Sequence, residues 1–231
     1  MNYSTVLFDM DETLFSSSAS IKTILKELLL ENNYDASNSD LDKYPKINSI
    51  YWKKYQNGEI DFHSLKTGRF SDFLYELNVD ADIEEFTLGY TEKYKEADSL
   101  IEDALFLCSG LHKNGYKLYL ASNGEDFVQR KRINKAGMAS FFSGYFNSDI
   151  IGFCKPSIEY FNFIKENIDE KDPKKILMVG DSYSTDVEGA IRADMSGCWF
   201  CRKESEYSPD LPCITVRSLK ELYNILLPSG L

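Results

Sequence analysis

VLFDMDETLF, residues 6–15, runs an apolar segment straight into three acids, Asp9, Asp11 and Glu12. With Thr5 in front of it, the apolar part reads as a buried strand, TVLFD. The roughly 80 residues that follow hold no convincing strand for it to pair with. Such a strand must therefore join a sheet formed later in the chain, and burial of both its faces calls for helices on either side.

From residue 99 onward the pattern supplies that sheet. A helix near 100–114 precedes strand KLYLAS, a helix from Asp126 to Met138 and a short strand near YFNS. A helix from Ser157, strand KILMVG, a helix from Thr185, strands CWFC and CITV, and a terminal helix from Ser218 complete the series. Alternation of this kind predicts an α/β fold with a doubly wound parallel sheet. The core is assigned to residues 1–15 and 99–231.

Residues 16–98 have another texture. IKTILKELLLENNY, INSIYWKKYQNGEI, FHSLKTGRFSDFLYELNV and IEEFTLGYTEKYKEA all place apolar residues at helical spacing. An all-α insert is expected, far longer than the usual connection of about 4–6 residues. An insert after a strand's carboxyl end sits above the crevice where such folds bind ligands, so a lid is the economical reading and passive decoration the other.

Composition narrows the function classes. Of the 231 residues, 43% are hydrophobic and 14% aromatic, too apolar for a disordered chain. A net charge of -11 argues against a sequence-independent grip on nucleic acid, which needs clustered Lys and Arg. No stretch reaches the roughly 18 apolar residues of a membrane span. MNYSTVLFDMDE shows neither the basic nor the apolar part of a signal peptide, so a cytoplasmic protein is expected. Five scattered cysteines fit a reduced compartment, and CWFC reads as a buried strand whose two sulfurs face opposite sides.

Carboxylates gathered at the mouth of a core repel one another and resist leaving water, so a positive partner is required. If the extended backbone persists through Met10, Asp9 and Asp11 face the same way. Two hard oxygen donors there suit Mg²⁺. A calcium loop is excluded, because Leu14 stands where its glycine belongs and Ser20 where its bidentate glutamate belongs.

Three later strand ends are polar: Ser122-Asn123-Gly124 after KLYLA, Lys155-Pro156 after DIIGFC, and Gly180-Asp181 through Asp186 after KILMV. Each alone is an ordinary turn or a solvated lysine. Together they bring a hydroxyl, an ammonium and further carboxylates to one crevice, the set that phosphoryl transfer requires.

The order DxDxT, strand-end Ser, Lys, then GDxxxxD resembles the haloacid dehalogenase superfamily over nearly the whole core. The resemblance implies that Asp9 attacks phosphorus and carries a transient aspartyl-phosphate. Asp11 would be the acid and base, with its main-chain carbonyl also on Mg²⁺. Ser122, Asn123 and Lys155 would hold the substrate. Asp181 would bind Mg²⁺ directly, and Asp186 would act through water or by orienting Lys155. Since dehalogenases need neither metal nor leaving-group acid, Asp11, Asp181 and Asp186 point to a phosphatase.

DETLF with Glu12 where a glycine is frequent, YQNGEI, GRF followed by LNV, and NG followed by Gln129 and Arg132 resemble the pyrimidine 5′-nucleotidase branch. The implied partner is a nucleoside monophosphate. Ser16, where many relatives carry an acid, and Asp194, where Gly is frequent, depart from that pattern. Trp52, Tyr55, Arg69 and Phe70 could stack on a base or contact a ribose, although aromatics at helical spacing are more often core. Three other readings stand beside this one: a sugar-phosphate phosphatase, a phosphosugar mutase on the same scaffold, and a phospho-receiver module. The receiver is disfavoured because such modules are about half this length and lack the long insert.

Overall fold

The computed structural model describes residues 3–202 and 211–228. The chain divides into two compact units, Met1–Ser16 with Asp98–Leu231, and Ser17–Ala97.

In the first unit β1 (Thr5–Phe8), β2 (Lys117–Ser122), β3 (Phe142–Asn147), β4 (Ile176–Gly180), β5 (Ser196–Phe200) and β6 (Ile214–Val216) form one sheet in the order β3-β2-β1-β4-β5-β6. Every pairing is parallel, with Val6 opposite Leu118 on one side and Leu177 on the other. β1 is therefore central and wholly buried, as its unbroken apolar run requires. Alternation sorts its side chains: Val6 and Phe8 join one apolar cluster with Leu118, Leu177 and Val179, while Leu7 joins another with Tyr119, Ile176 and Met178.

The second unit contains α1 (Ser17–Glu31), α2 (Asn38–Leu41), α3 (Tyr44–Gln56), α4 (Phe62–Glu76) and α5 (Ile83–Tyr94). Asp61 and Asp82 cap α4 and α5 by accepting from Ser64 N and Glu85 N at 2.7 and 2.9 Å. Leu25, Leu28, Tyr44, Phe70, Phe73 and Phe86 lie in the centre of this unit. Phe70 is thus core, while Trp52, Tyr55 and Phe62 form a separate half-exposed aromatic group. Arg69 is buried, donates to Asn48 Oδ1 at 2.9 Å and lies over the rings of Phe70 and Tyr90.

Six helices complete the first unit: α6 (Ala104–Lys113), α7 (Asp126–Lys135), α8 (Ser148–Ile151), α9 (Ile158–Asn167), α10 (Glu188–Arg192) and α11 (Leu219–Leu226). α6 and α11 supply Leu107, Leu111, Leu219 and Leu222 to the cluster containing Val6; α9 and α10 supply Phe161, Ile164 and Ala190 to that containing Leu7. Ser157 and Ser218 cap α9 and α11 through their hydroxyls, which explains why those helices start where they do.

Two local expectations change. DIIGFC is not a strand: Ser148–Ile151 forms one helical turn that ends at Gly152 with φ 82°, and Lys155 follows in a loop. The helix placed from Thr185 begins instead as a wide, π-type turn over Tyr183–Val187, with α10 continuing from it. In CWFC, Cys198 packs with the cluster of Val6, whereas Cys201 packs with Trp199 and Val187 elsewhere. Among the described residues none of the five cysteines forms a disulfide. Among the described residues no helix is long and apolar enough to cross a membrane.

The connections run outward from β1 through β2 to β3 on one side, and from β4 through β5 to β6 on the other. β1 and β4 thus flank the point where strand order reverses, and the crevice of a doubly wound sheet opens there, at the carboxyl ends.

Candidate active site

Asp9 is the first residue beyond β1, and its N–H still donates to Val179 O at 2.9 Å. The chain then leaves the strand direction at once. Met10 O accepts from both Leu14 N and Phe15 N at 2.9 Å, and Glu12 takes a left-handed conformation with φ 62°. A β-carbon makes that conformation costly by roughly 1–2 kcal/mol, so a glycine would fit here more readily. Glu12 instead pairs its carboxylate with Arg202.

This tight loop carries Thr13 back under Asp9. Wholly buried, Thr13 donates from Oγ1 to Asp9 Oδ2 at 3.1 Å and accepts from Asp181 N at 3.0 Å. Trp199 Nε1 donates to Asp181 O at 2.9 Å, so the main chain of Asp181, just past β4, is held from both sides. This bridge between Asp9 and the main chain of Asp181 is what the threonine of DxDxT does.

Lys155 arrives from the loop after α8 and is buried. Its Nζ donates to Asp9 Oδ1 at 2.6 Å, Asp186 Oδ1 at 2.7 Å and Ala121 O at 2.7 Å, which uses all three of its protons. Asp186 Oδ2 accepts from Ser182 N at 3.1 Å. Asn123, expected among the substrate ligands, has its amide engaged otherwise: Nδ2 donates to Lys155 O at 2.9 Å, and Oδ1 accepts from Lys155 N at 2.8 Å. It fixes the lysine's backbone.

One oxygen from each of Asp9, Asp181 and Asp186 lies within 4.8 Å of the others. Three carboxylates there face one ammonium, a deficit of positive charge in a buried place. Burial, followed by repulsion from Asp186 and Asp11, pushes Asp9 up to about 7 despite the opposing pull of Lys155. Burial, then repulsion from Asp9 and Asp186, pushes Asp181 up to about 8. Burial by itself would lower Lys155, but the combined attraction of Asp186 and Asp9 raises it above its ordinary value. An all-oxygen, anionic and charge-deficient donor set fits a hard divalent cation such as Mg²⁺.

Asp11 departs from expectation. β1 ends at Phe8, and Asp11 forms a bridge to Phe15 in the loop rather than continuing the strand. Its carboxylate is therefore not in the three-acid cluster: Arg132 Nη1 donates to Oδ1 at 2.6 Å and Gln129 Nε2 to Oδ2 at 2.9 Å. The positive partner demanded by the acids of the opening stretch is thus partly protein, with Lys155 on Asp9, Arg132 on Asp11 and Arg202 on Glu12. Among the described residues Asp181 makes no ion pair.

Ser122 ends β2, buried, and its Oγ accepts from Gly124 N at 3.0 Å and from Gln129 Nε2 at 3.1 Å. Gly180 is also required by geometry, since a Cβ there would stand 2.2 Å from Asp186 Oδ2. Gly180→Ala is expected to push Asp186 off Lys155 and cut kcat/KM by about a hundredfold, the scale of an ångström-sized misplacement. A steady-state assay on the folded variant checks this, and full activity would show that Asp186 can shift without consequence.

The haloacid dehalogenase-like hydrolase family model matches residues 3–194. HAD-hydrolase YfnB of Bacillus subtilis is 32% identical over 97% of this chain and 95% of its own. Its crystal structure, described as bound to magnesium, superposes with a TM-score of 0.91 at 31% identity, covering 98% of this chain and 99% of that one. Pyrimidine 5′-nucleotidase YjjG of Escherichia coli is 29% identical over 98% of this chain and 99% of its own. Pyrimidine 5′-nucleotidase PynA of Streptococcus pneumoniae is 26% identical over 98% and 96%.

Proposed function

The chain belongs to the haloacid dehalogenase-like hydrolases, and from that premise we propose that it is a Mg²⁺-dependent phosphomonoester hydrolase acting on pyrimidine nucleoside 5′-monophosphates. The observation that carries the reaction type is the cluster of Asp9, Asp181 and Asp186, of which the buried Asp9 and Asp186 both pair with Lys155. The substrate class rests on the two relatives named as pyrimidine 5′-nucleotidases.

Asp9 is the nucleophile. Its carboxylate oxygen forms a bond to phosphorus while the ester P–O bond breaks, and Asp11 passes a proton to the departing alkoxide. Water then attacks the aspartyl-phosphate and gives a proton to Asp11, and the P–O bond to Asp9 breaks, restoring both residues. Lys155 neutralises phosphoryl charge and pulls Asp9 toward its ionised form, against the effect of burial. Ser122 donates its hydroxyl proton to a phosphoryl oxygen, and Asp186 holds Lys155 in place. Asp9, Asp181 and the main-chain carbonyl of Asp11, with Asp186 nearby, would hold Mg²⁺, which when bound would supply positive charge against the phosphate.

The test is phosphate release from a panel of nucleoside monophosphates and sugar phosphates, with Mg²⁺ and then with chelator. Turnover of pyrimidine monophosphates, abolished by chelation, is expected. Preference for sugar phosphates would overturn the substrate class. A stable phosphoprotein without turnover would overturn the hydrolase.

A linkage prediction follows from the two elevated carboxyls. In metal-free protein the native state keeps protons on Asp9 and Asp181 that the unfolded chain loses near pH 4. Their contribution to stability therefore declines as pH rises from about 4 to about 8. A cation displaces those protons, so added Mg²⁺ should raise the unfolding midpoint more at about pH 8 than at about pH 6. A pH-independent Mg²⁺ effect would remove these carboxyls from the cation site.

A further inference from the structure

We propose that Gln129 and Arg132 on α7 are positioning residues that set the Asp11 carboxylate and the Ser122 hydroxyl as one unit, an inference that rests on the roles given above to those two groups. Gln129 and Arg132 lie three residues apart, on one face of the helix, and both are 1% exposed. A buried amide and a buried guanidinium are costly unless their polar atoms are met, and here the atoms facing Asp11 and Ser122 are met.

The hydrogen-bond inventory has one solution. Gln129 Nε2 has two protons, given to Asp11 Oδ2 at 2.9 Å and to Ser122 Oγ at 3.1 Å. Gln129 Oε1 accepts from Arg132 Nη1 at 3.0 Å, and that same nitrogen donates to Asp11 Oδ1 at 2.6 Å. Three contacts thus fix which way round the amide stands. Phe15 supports the guanidinium, whose carbon lies 4.8 Å from the ring centroid.

At Ser122 both lone pairs are occupied, by Gln129 Nε2 and by Gly124 N. Its single proton has no acceptor among the described residues, so the hydroxyl can act only as a donor to something that enters the site. Gly124 makes room for this arrangement, since a Cβ there would stand 2.2 Å from Gln129 Nε2. One amide therefore ties the hydroxyl that faces phosphate to the carboxylate that moves the proton. Without the tie, Asp11 is free to rotate away from the leaving group.

The readout is leaving-group dependence. A p-nitrophenyl ester departs with little proton assistance, whereas a nucleoside alkoxide needs it, and general acid catalysis is worth about 10²–10⁴. Gln129→Leu and Arg132→Lys are each expected to lower kcat/KM for a pyrimidine nucleoside monophosphate by about a hundredfold. For p-nitrophenyl phosphate the loss should be less than about tenfold. In an Asp11→Ala background Gln129→Leu should add less than about tenfold, the part that acts through Ser122, because the rest passes through the proton transfer already lost. Equal losses on the two esters, or full additivity with Asp11→Ala, would overturn the proposal. If Gln129→Leu fails to fold, Gln129→Met and Arg132→Lys carry the same comparison. An Asp11→Ala protein as active as wild type on both esters would instead defeat the assignment of Asp11 itself. An Asp11→Ala protein impaired on the nucleotide, beside unimpaired Gln129 and Arg132 variants, would defeat the positioning role alone.

Discussion

Asp9→Asn protein is expected to release phosphate at no more than about 10⁻⁴ of the wild-type rate, because the amide cannot form the bond to phosphorus on which both displacements depend. The substitution should not unfold the protein. An asparagine oxygen can still accept from Lys155 Nζ or Thr13 Oγ1, the two groups now 2.6 and 3.1 Å from the carboxylate. It also removes a buried charge whose ionisation burial opposes. In metal-free protein the unfolding midpoint at about pH 8 should therefore match or exceed that of wild type, and its decline from about pH 4 to pH 7 should be shallower. Phosphate release and thermal melts on the same sample separate the two effects. Residual activity of a few per cent, not removed by further purification, would show that another group attacks phosphorus.

Lys155→Met should lose both activity and stability. The ammonium satisfies Asp9, Asp186 and Ala121 O together, at 2.6, 2.7 and 2.7 Å, and is itself buried. Without it two carboxylates remain close, dry and unpaired, a situation that costs about 3–5 kcal/mol when one partner of a buried ion pair is removed. Loss of the charge facing the phosphate should lower kcat by about a thousandfold, as for other buried electrostatic contacts to a reacting group. The stability deficit has a pH signature: protonation of the acids relieves it, so it should be smaller at about pH 5 than at about pH 8. Denaturant unfolding at both values tests this. A deficit below about 1 kcal/mol at pH 8 would mean that water screens these charges as it does on a surface.

Both predictions turn on contacts between residues far apart in the chain. Lys155 and Asp9 are separated by 146 positions, Arg132 and Asp11 by 121. Local pattern nonetheless identified most of the participants. TVLF, KLYLAS and KILMVG read as strands because unbroken apolar runs of that length can be satisfied only with both faces covered, and all three are strands of the sheet. Asp9, Ser122 and Asp181 were recognisable because polar groups that end such runs emerge at one edge of a parallel sheet. The same strand-end reading reached Lys155 and Asp186, and family resemblance added only their separate roles.

Other features escaped for physical reasons. Extrapolating the strand through Met10 put the Asp11 side chain beside Asp9, but the loop's hydrogen bonds to Met10 O turn the chain first. DIIGFC is apolar enough for a strand, yet Asn147 already ends β3, and a short apolar run can equally cover the sheet as a helical turn. Thr13 and Gln129 stood within family-like motifs but their contacts could not be read there, since a buried hydroxyl or amide gains meaning from the atoms around it.

Residue order and polarity alone were enough to specify most strands and helices, the helical insert and the edge at which acids collect, because those follow from burying apolar side chains with a fixed backbone period. Which cation meets which acid, which amide orients which hydroxyl, and where a glycine must yield to a carboxylate depended on the folded arrangement. Those choices are made over distances of a few ångströms between segments that have no sequence proximity, and hydrogen bonds are too short-ranged to act before the sheet has brought them together.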